Sequence, residues 1–240
     1  MKRFYREAGT AAGDGGTVVV LDDRPVRTPA RRHLAAPTPA LALAIAAEWR
    51  AQGEEIRPAE MPLTRMATTA LDLLPTRRDD AVAEVAGYGE TDLLCYRADR
   101  PPELVTRQGR TWQPLLDWAE ATFGARLAVT DRALPVTQPE SAQARLRAAV
   151  AASDDWTLTG LHAATTALGS VVLGLALRER RLTAGAAFGA GLLDELDVAE
   201  QWGEDPEAAA RRERLRREVE AAARFMALSQ LVLGHSDHAG

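Results

Sequence analysis

From Trp156 to Leu177 the chain reads WTLTGLHAATTALGSVVLGLAL, 22 residues without a formal charge. A helix of that length could cross a bilayer. Its content argues against this. The stretch holds His162, four threonines, one serine and three glycines, with two aspartates before it and Arg-Glu-Arg-Arg after it. Leu158, Leu161, Thr165, Leu168, Val172 and Leu175 recur at helical spacing, which marks one face as core. The stretch is therefore predicted to be one long helix buried inside a soluble helical bundle.

The elements around it follow from local signals. The first 35 or so residues read as strands. Val18, Val19 and Val20 form a β-branched run. Asp22-Asp23 then turns the chain into a second run through Val26 and Thr28, a hairpin pattern. Arg24-Pro25 suits an edge strand or the end of the hairpin. Beyond this the chain reads as helix, helped by abundant alanine and arginine. Thr38-Pro39 is a cap with proline at the first helical position, and Leu41, Ile45 and Trp49 make one buried stripe. Thr76 to Asp79 fits a capping box ahead of Val82 and Val85. Pro101-Pro102 opens another helix, and Pro114 is expected to restart it. Leu127 and Val129 suggest one more short strand. Ser153-Asp154-Asp155 caps the apolar helix, Thr183 opens the next, and Asp205-Pro206 opens the last. That last helix runs through Leu215, Val219, Ala222 and Met226 towards Gly234. The predicted class is α+β. A small N-terminal antiparallel β-rich domain with one helix spans residues 1–62, and a larger, mostly α-helical domain spans residues 63–240.

Several functions are disfavoured by composition. A net charge of −5 argues against general nucleic-acid binding, which draws on a surplus of positive charge. A single cysteine excludes an internal disulfide and a cysteine-based zinc site. No apolar run follows the basic start MKRFYREAGT, so a bacterial cytoplasm is the expected home, with a trimmed organelle protein as the alternative. The one cysteine, Cys95, lies in ETDLLCYRA between Asp92 and Arg97. As a nucleophile it needs a base. Of the four histidines, His162 is on the apolar helix and His235 and His238 lie near the C-terminus. No nucleophile elbow frames Cys95, and packing is the expected role. His235 and His238 have a spacing a metal accepts, without an evident third ligand. The run RRERLRR (211–217) is interleaved with Glu213 and followed by Glu218 and Glu220, which reads as a helix face laced with ion pairs. GAAFGAG (185–191) lacks the strand and lysine of a phosphate loop, and close helix approach explains it better.

One feature asks for more. Phe188, Leu192, Ala199 and Trp202 form an apolar stripe at helical spacing, and Glu195 falls near its centre. Asp194, Asp197 and Glu200 add negative charge around it. A carboxylate on an apolar stripe needs a partner. Two readings are open: an ion pair with an arginine of the last helix, or a recognition surface on which the charge specifies a binding partner.

These residues, with several ordered motifs, resemble a known family: the assembly chaperones that bind the alpha subunit of F-type ATP synthase, the ATP-twelve family. The likeness spans residues 3 to 228 or so. It is carried by RFY, VVLDDRPVRTP, LALAIAAEWRAQ with MPLTRMATTALD, ETDLLCYRADRPPELVTRQGRTWQPLLDWAE, LGSVVLGLALRERRLT and LLDELDVAEQWGEDPEA, in that order. A long N-terminal import extension is missing, which suggests a bacterial member; eukaryotic relatives belong in the mitochondrial matrix. The resemblance implies a protein that is not an enzyme. It would bind the free alpha subunit. No cofactor, metal, membrane insertion or nucleic-acid binding is expected, and the free chain is expected to be a monomer. By position the resemblance places partner binding at Asp194, Glu195, Trp202, Gly203 and Glu204, and gives Trp49 a structural duty. Two other classes compete: a helical adaptor with another protein partner, and an enzyme using Cys95.

Overall fold

The computed structural model describes residues 1–132 and 135–230. His235 and His238 therefore lie outside the described residues. The architecture is α+β: among the described residues four short strands come first and ten α-helices follow.

The sheet is built around β2 (Gly16–Leu21). Strand β1 (Ala8–Gly13) pairs with it antiparallel, from Ala8 opposite Leu21 to Gly13 opposite Gly16. The connecting turn is Asp14-Gly15, a hairpin signal missing from the strand reading above. The predicted second hairpin is present. Asp22 and Asp23 both take left-handed backbone angles, φ 47° and 63°, as a two-residue hairpin turn requires. Strand β3 (Arg24–Pro25) follows and pairs with Leu21 and Val20. Strand β4 (Ala35–Ala36) takes the same edge of β2 further along, at Val18 and Thr17. So β2 is flanked on both sides and Val18 to Leu21 are all buried.

Helix α1 (Pro39–Arg50) starts as the sequence predicts, with Thr38 Oγ accepting from the Leu41 N–H at 3.1 Å. Leu41 and Ile45 are fully buried. Trp49 packs edge-to-face on Tyr5, 5.7 Å between ring centres. Glu48 reaches across to the start of α2 (Pro62–Asp72), accepting from the Leu63 and Thr64 N–H groups at 2.7 and 2.8 Å. A carboxylate at a helix N-terminus satisfies donors that the helix itself cannot.

Three expectations are corrected in the next stretch. Helix α3 (Leu74–Gly87) begins ahead of Thr76, whose hydroxyl donates to the Leu73 carbonyl, so the capping box does not form. Proline in the first turn starts the helix earlier, and the irregularity falls instead at Arg77, φ −128° and ψ 21°. Helix α4 (Pro102–Phe123) runs through Pro114 without restarting. Trp112, Leu115, Leu116 and Ala119 are buried on both sides of the proline, and their packing outweighs one lost hydrogen bond. Leu127 and Val129 form no strand. The segment meets Tyr96 in a single parallel bridge at Thr130, and Gln138 holds both backbone groups of Ala128 at 2.8 and 2.9 Å.

Helix α5 (Glu140–Ala151) leads to the uncharged stretch, which is two helices instead of one. Helix α6 (Asp155–Leu168) is capped by Asp154, which accepts from the Thr157 N–H at 2.8 Å. Gly169 takes φ 65°, the left-handed helix-ending conformation. Ser170 then caps α7 (Val171–Arg178), accepting from the Leu173 N–H at 3.0 Å. The predicted burial holds on both halves, and all residues from Val171 to Leu177 are buried. Among the described residues no helix is long and apolar enough to cross a membrane.

Helices α8 (Ala184–Gly191), α9 (Leu193–Trp202) and α10 (Pro206–Ser229) are the last elements among the described residues. Helix α10 crosses α6 so closely that a β-carbon on Gly160 would lie 2.5 Å from Met226 Cγ. Within GAAFGAG only Gly191 needs such closeness, against Leu168; Gly185 and Gly189 face open space. One core cluster joins sheet, α1, α2 and α10 through Val19, Leu41, Ile45, Leu63 and Phe225.

Candidate partner-binding site

The motif ETDLLCYRA is a structural joint. Asp92 is fully buried and accepts hydrogen bonds from the Leu94 N–H at 3.0 Å, the Ser170 hydroxyl at 2.8 Å and the Val172 N–H at 3.1 Å. It thus ties residues 92–95 to the break between α6 and α7. Burial raises its carboxyl to about 6, against the lowering effect of those donors. Cys95 is also fully buried. Burial, then the charge of Asp92, pushes its thiol up to about 12, so it stays protonated at neutral pH. The groups that act on it are Asp92, Arg97 and Gln138, none of them a histidine. His162 meets Glu84 instead, at 3.2 Å. Cys95 is a packing residue. Cys95→Ser should lower stability by about 1–2 kcal/mol, since the new hydroxyl is buried, and leave partner capture unchanged. Urea melts and a binding assay on the same preparation check both halves.

The carboxylate-rich region is a corner made by α9, Gly203 and the start of α10. The proposed apolar stripe is broken: Phe188 belongs to α8, and Leu192 (φ −108°, ψ 17°) separates α8 from α9. Helical spacing cannot be carried across that break. On α9 itself Glu195, Ala199 and Trp202 do share a face, with Val198 beside them. Two large apolar side chains stand out of this face, Val198 at 58% and Trp202 at 83% exposure. Glu195 is 41% exposed and forms an ion pair with Arg211 of α10, the first of the two open readings. That pair leaves the carboxylate at the surface.

The buried acid of α9 is Asp197, not Glu195. Arg107 of α4 clamps Asp197 at 3.3 Å and Glu200 at 2.7 and 3.0 Å. Asp194, exposed, accepts from Gln108 at 2.8 Å. Glu204 pairs with the buried Arg212 at 2.7 Å. Gly203, at φ 90° and ψ 166°, turns the chain between the helices in a conformation that other residues avoid. So the five named residues, Asp194, Glu195, Trp202, Gly203 and Glu204, lie together along one helix and its exit turn. The Arg107 clamp and the exposed Val198 were not singled out from sequence. Their signals are contacts from residues 90 or more positions away and the orientation of one helix face.

The run 211–217 is the ion-paired helix face expected: Arg216 and Arg217 both bind Glu213. Among the described residues, no group of three His, Cys, Asp or Glu is placed to hold a metal ion.

This fold is shared with proteins of known structure. The Atp12 protein of Paracoccus denitrificans matches with a TM-score of 0.89 and 42% identity, over 95% of this chain and 98% of that one. A point mutant of the same protein matches equally. The family model described as ATP12 chaperone protein matches residues 2–120. The mitochondrial atp12 protein of Schizosaccharomyces pombe is 22% identical over 214 residues, 84% of this chain and 74% of that one. This chain belongs to the ATP12 chaperone family.

Proposed function

We propose that this protein binds the free alpha subunit of F-type ATP synthase and prevents its misassociation before the catalytic head assembles. The observation that carries the reading, beside the family, is the exposed Trp202–Val198 face among carboxylates. An isolated ring subunit exposes apolar interface, and a chaperone that covers it suppresses wrong association by mass action. Tryptophan held out in solvent is the side chain best suited to anchor such a contact, and a nearby carboxylate gives it orientation. Asp194, Glu195, Trp202, Gly203 and Glu204 form the binding corner in this reading. The protein acts by binding, without turnover and without nucleic acid, as a monomer in a bacterial cytoplasm. Residues 63–240 carry the corner and residues 1–62 a second, sheet-bearing domain.

The test is capture of purified alpha subunit by the immobilised chain, with light scattering of heated alpha subunit as a second readout. The chain should retain alpha subunit and suppress its aggregation at near-equal molar ratio. Retention of a different protein from lysate, with no hold on purified alpha subunit, would establish the adaptor reading instead.

A further inference from the structure

The free edge of β1 differs from the other edge of its sheet. A two-residue turn makes Gly13 and Gly16 a pair that exchange hydrogen bonds, so Ala11–Val18 and Gly9–Val20 do the same. The Asp22 N–H donating to the Glu7 carbonyl at 3.0 Å continues that alternation. Ala8, Thr10 and Ala12 therefore point their backbone groups away from β2. Ala8 is buried in a cluster with Tyr5, Leu21, Ile56 and Met61, but Thr10 is half-exposed and Ala11, Ala12 and Gly13 are exposed. Among the described residues no backbone group meets Thr10 or Ala12 from outside.

Natural edges are guarded by charge, proline or a bulge. The opposite edge of the sheet has such guards, Arg24 and Pro25 of β3. Strand β1 is AGTAAG, without charge, proline or a side chain larger than threonine. It offers two N–H and two C=O groups to an incoming strand, with little side-chain bulk in the way.

We propose that the β1 edge at Thr10–Gly13 binds an extended segment of the client by strand addition, a second contact resting on the client-binding function above. Charge at the ends of the strand selects the occupant. Glu7 and Asp14 bracket it. A second copy, paired antiparallel with Thr10 opposite Ala12, would set Glu7 of each copy opposite Gly15 of the other, one position from that copy's Asp14. Like charges so placed oppose self-pairing. A client segment with lysine or arginine at its ends meets opposite charge at both ends, while its backbone supplies the hydrogen bonds.

Amide hydrogen exchange on the full chain, free and bound to purified alpha subunit, tests this. Thr10 and Ala12 amides should exchange quickly in the free chain and become protected in the complex. Ala12→Pro removes an outward N–H without touching the β1–β2 ladder, a position where an edge tolerates proline. It should melt like the parent and bind alpha subunit about tenfold more weakly. If that variant does not fold, the exchange result on the unaltered chain decides. A stable complex in which both amides still exchange freely would overturn strand addition and leave the client-binding function standing. Failure of the unaltered chain to hold alpha subunit would overturn both. Protection in the free chain that grows with its concentration would show a second copy on the edge and overturn the client assignment.

Discussion

Asp92→Ala is expected to lower folding stability by about 3–5 kcal/mol, a large part of what a domain of this kind has to lose. The carboxylate is the common acceptor for the Leu94 and Val172 N–H groups and the Ser170 hydroxyl, all inside the core. Removing it leaves three buried donors without partners, at about 1–3 kcal/mol each before the site relaxes. It also frees the turn that ends one core helix and starts the next. Chemical denaturation of the variant measures the loss, and a cost below about 1 kcal/mol would show that the joint does not hold the fold.

The same carboxyl gives stability a definite pH dependence. Burial raises it from the usual 3.8 to about 6 in the folded chain. Between those values the folded chain binds a proton that the unfolded chain has released. Stability therefore rises as pH falls from about 6 towards 4, by on the order of 2–3 kcal/mol from this group. Asp22, Glu200 and Glu213 are shifted downward by their donors and arginines and oppose the trend at still lower pH. Glu48, raised by burial, adds to it. The difference between the parent and Asp92→Asn across pH 4–7 isolates the Asp92 contribution. A parallel pair of curves would contradict it.

Glu195→Lys and Trp202→Ala are each expected to remove alpha-subunit capture while leaving the melt nearly unchanged. Trp202 is mostly in solvent, so its truncation should change stability by no more than about 0.5 kcal/mol. Glu195 loses a half-exposed pair with Arg211, worth up to about 1 kcal/mol. At a contact the scale differs. Truncating an aromatic anchor or reversing a recognition charge costs about 2–5 kcal/mol, a loss of at least about 30-fold in affinity. Scanning calorimetry with a capture assay separates the outcomes. A collapsed melt would assign Glu195 to the fold alone, and normal capture would take both residues out of the site.

Much of the fold was legible because its signals are local. Thr38, Asp154, Thr183 and Asp205 each cap the helix they were expected to open, since a cap is decided within four residues. The buried stripe from Leu158 to Leu175 was read correctly, although the break inside it was not. The Gly169-Ser170 pair that makes the break was present as a stop followed by a cap, and the unbroken apolar spacing on both sides masked it. Pro114 failed the other way: a strong local breaker was overridden by packing against residues distant in sequence. At the corner, the cluster of acids was visible, but which acid turns inward was not. Asp197 and Glu195 are two residues apart, and only the position of Arg107 decides between them.

Helix α9 buries only Leu193 and Asp197, and charged or polar partners on α4 and α10 supply much of the rest of its attachment. Salt screens such contacts over about 8 Å at physiological ionic strength and about 3 Å at 1 M, while apolar burial is not weakened that way. The corner is therefore joined to a salt-resistant body by a salt-titratable seam. Rising sodium chloride should loosen the helix that displays Trp202 well before it unfolds the helices beneath.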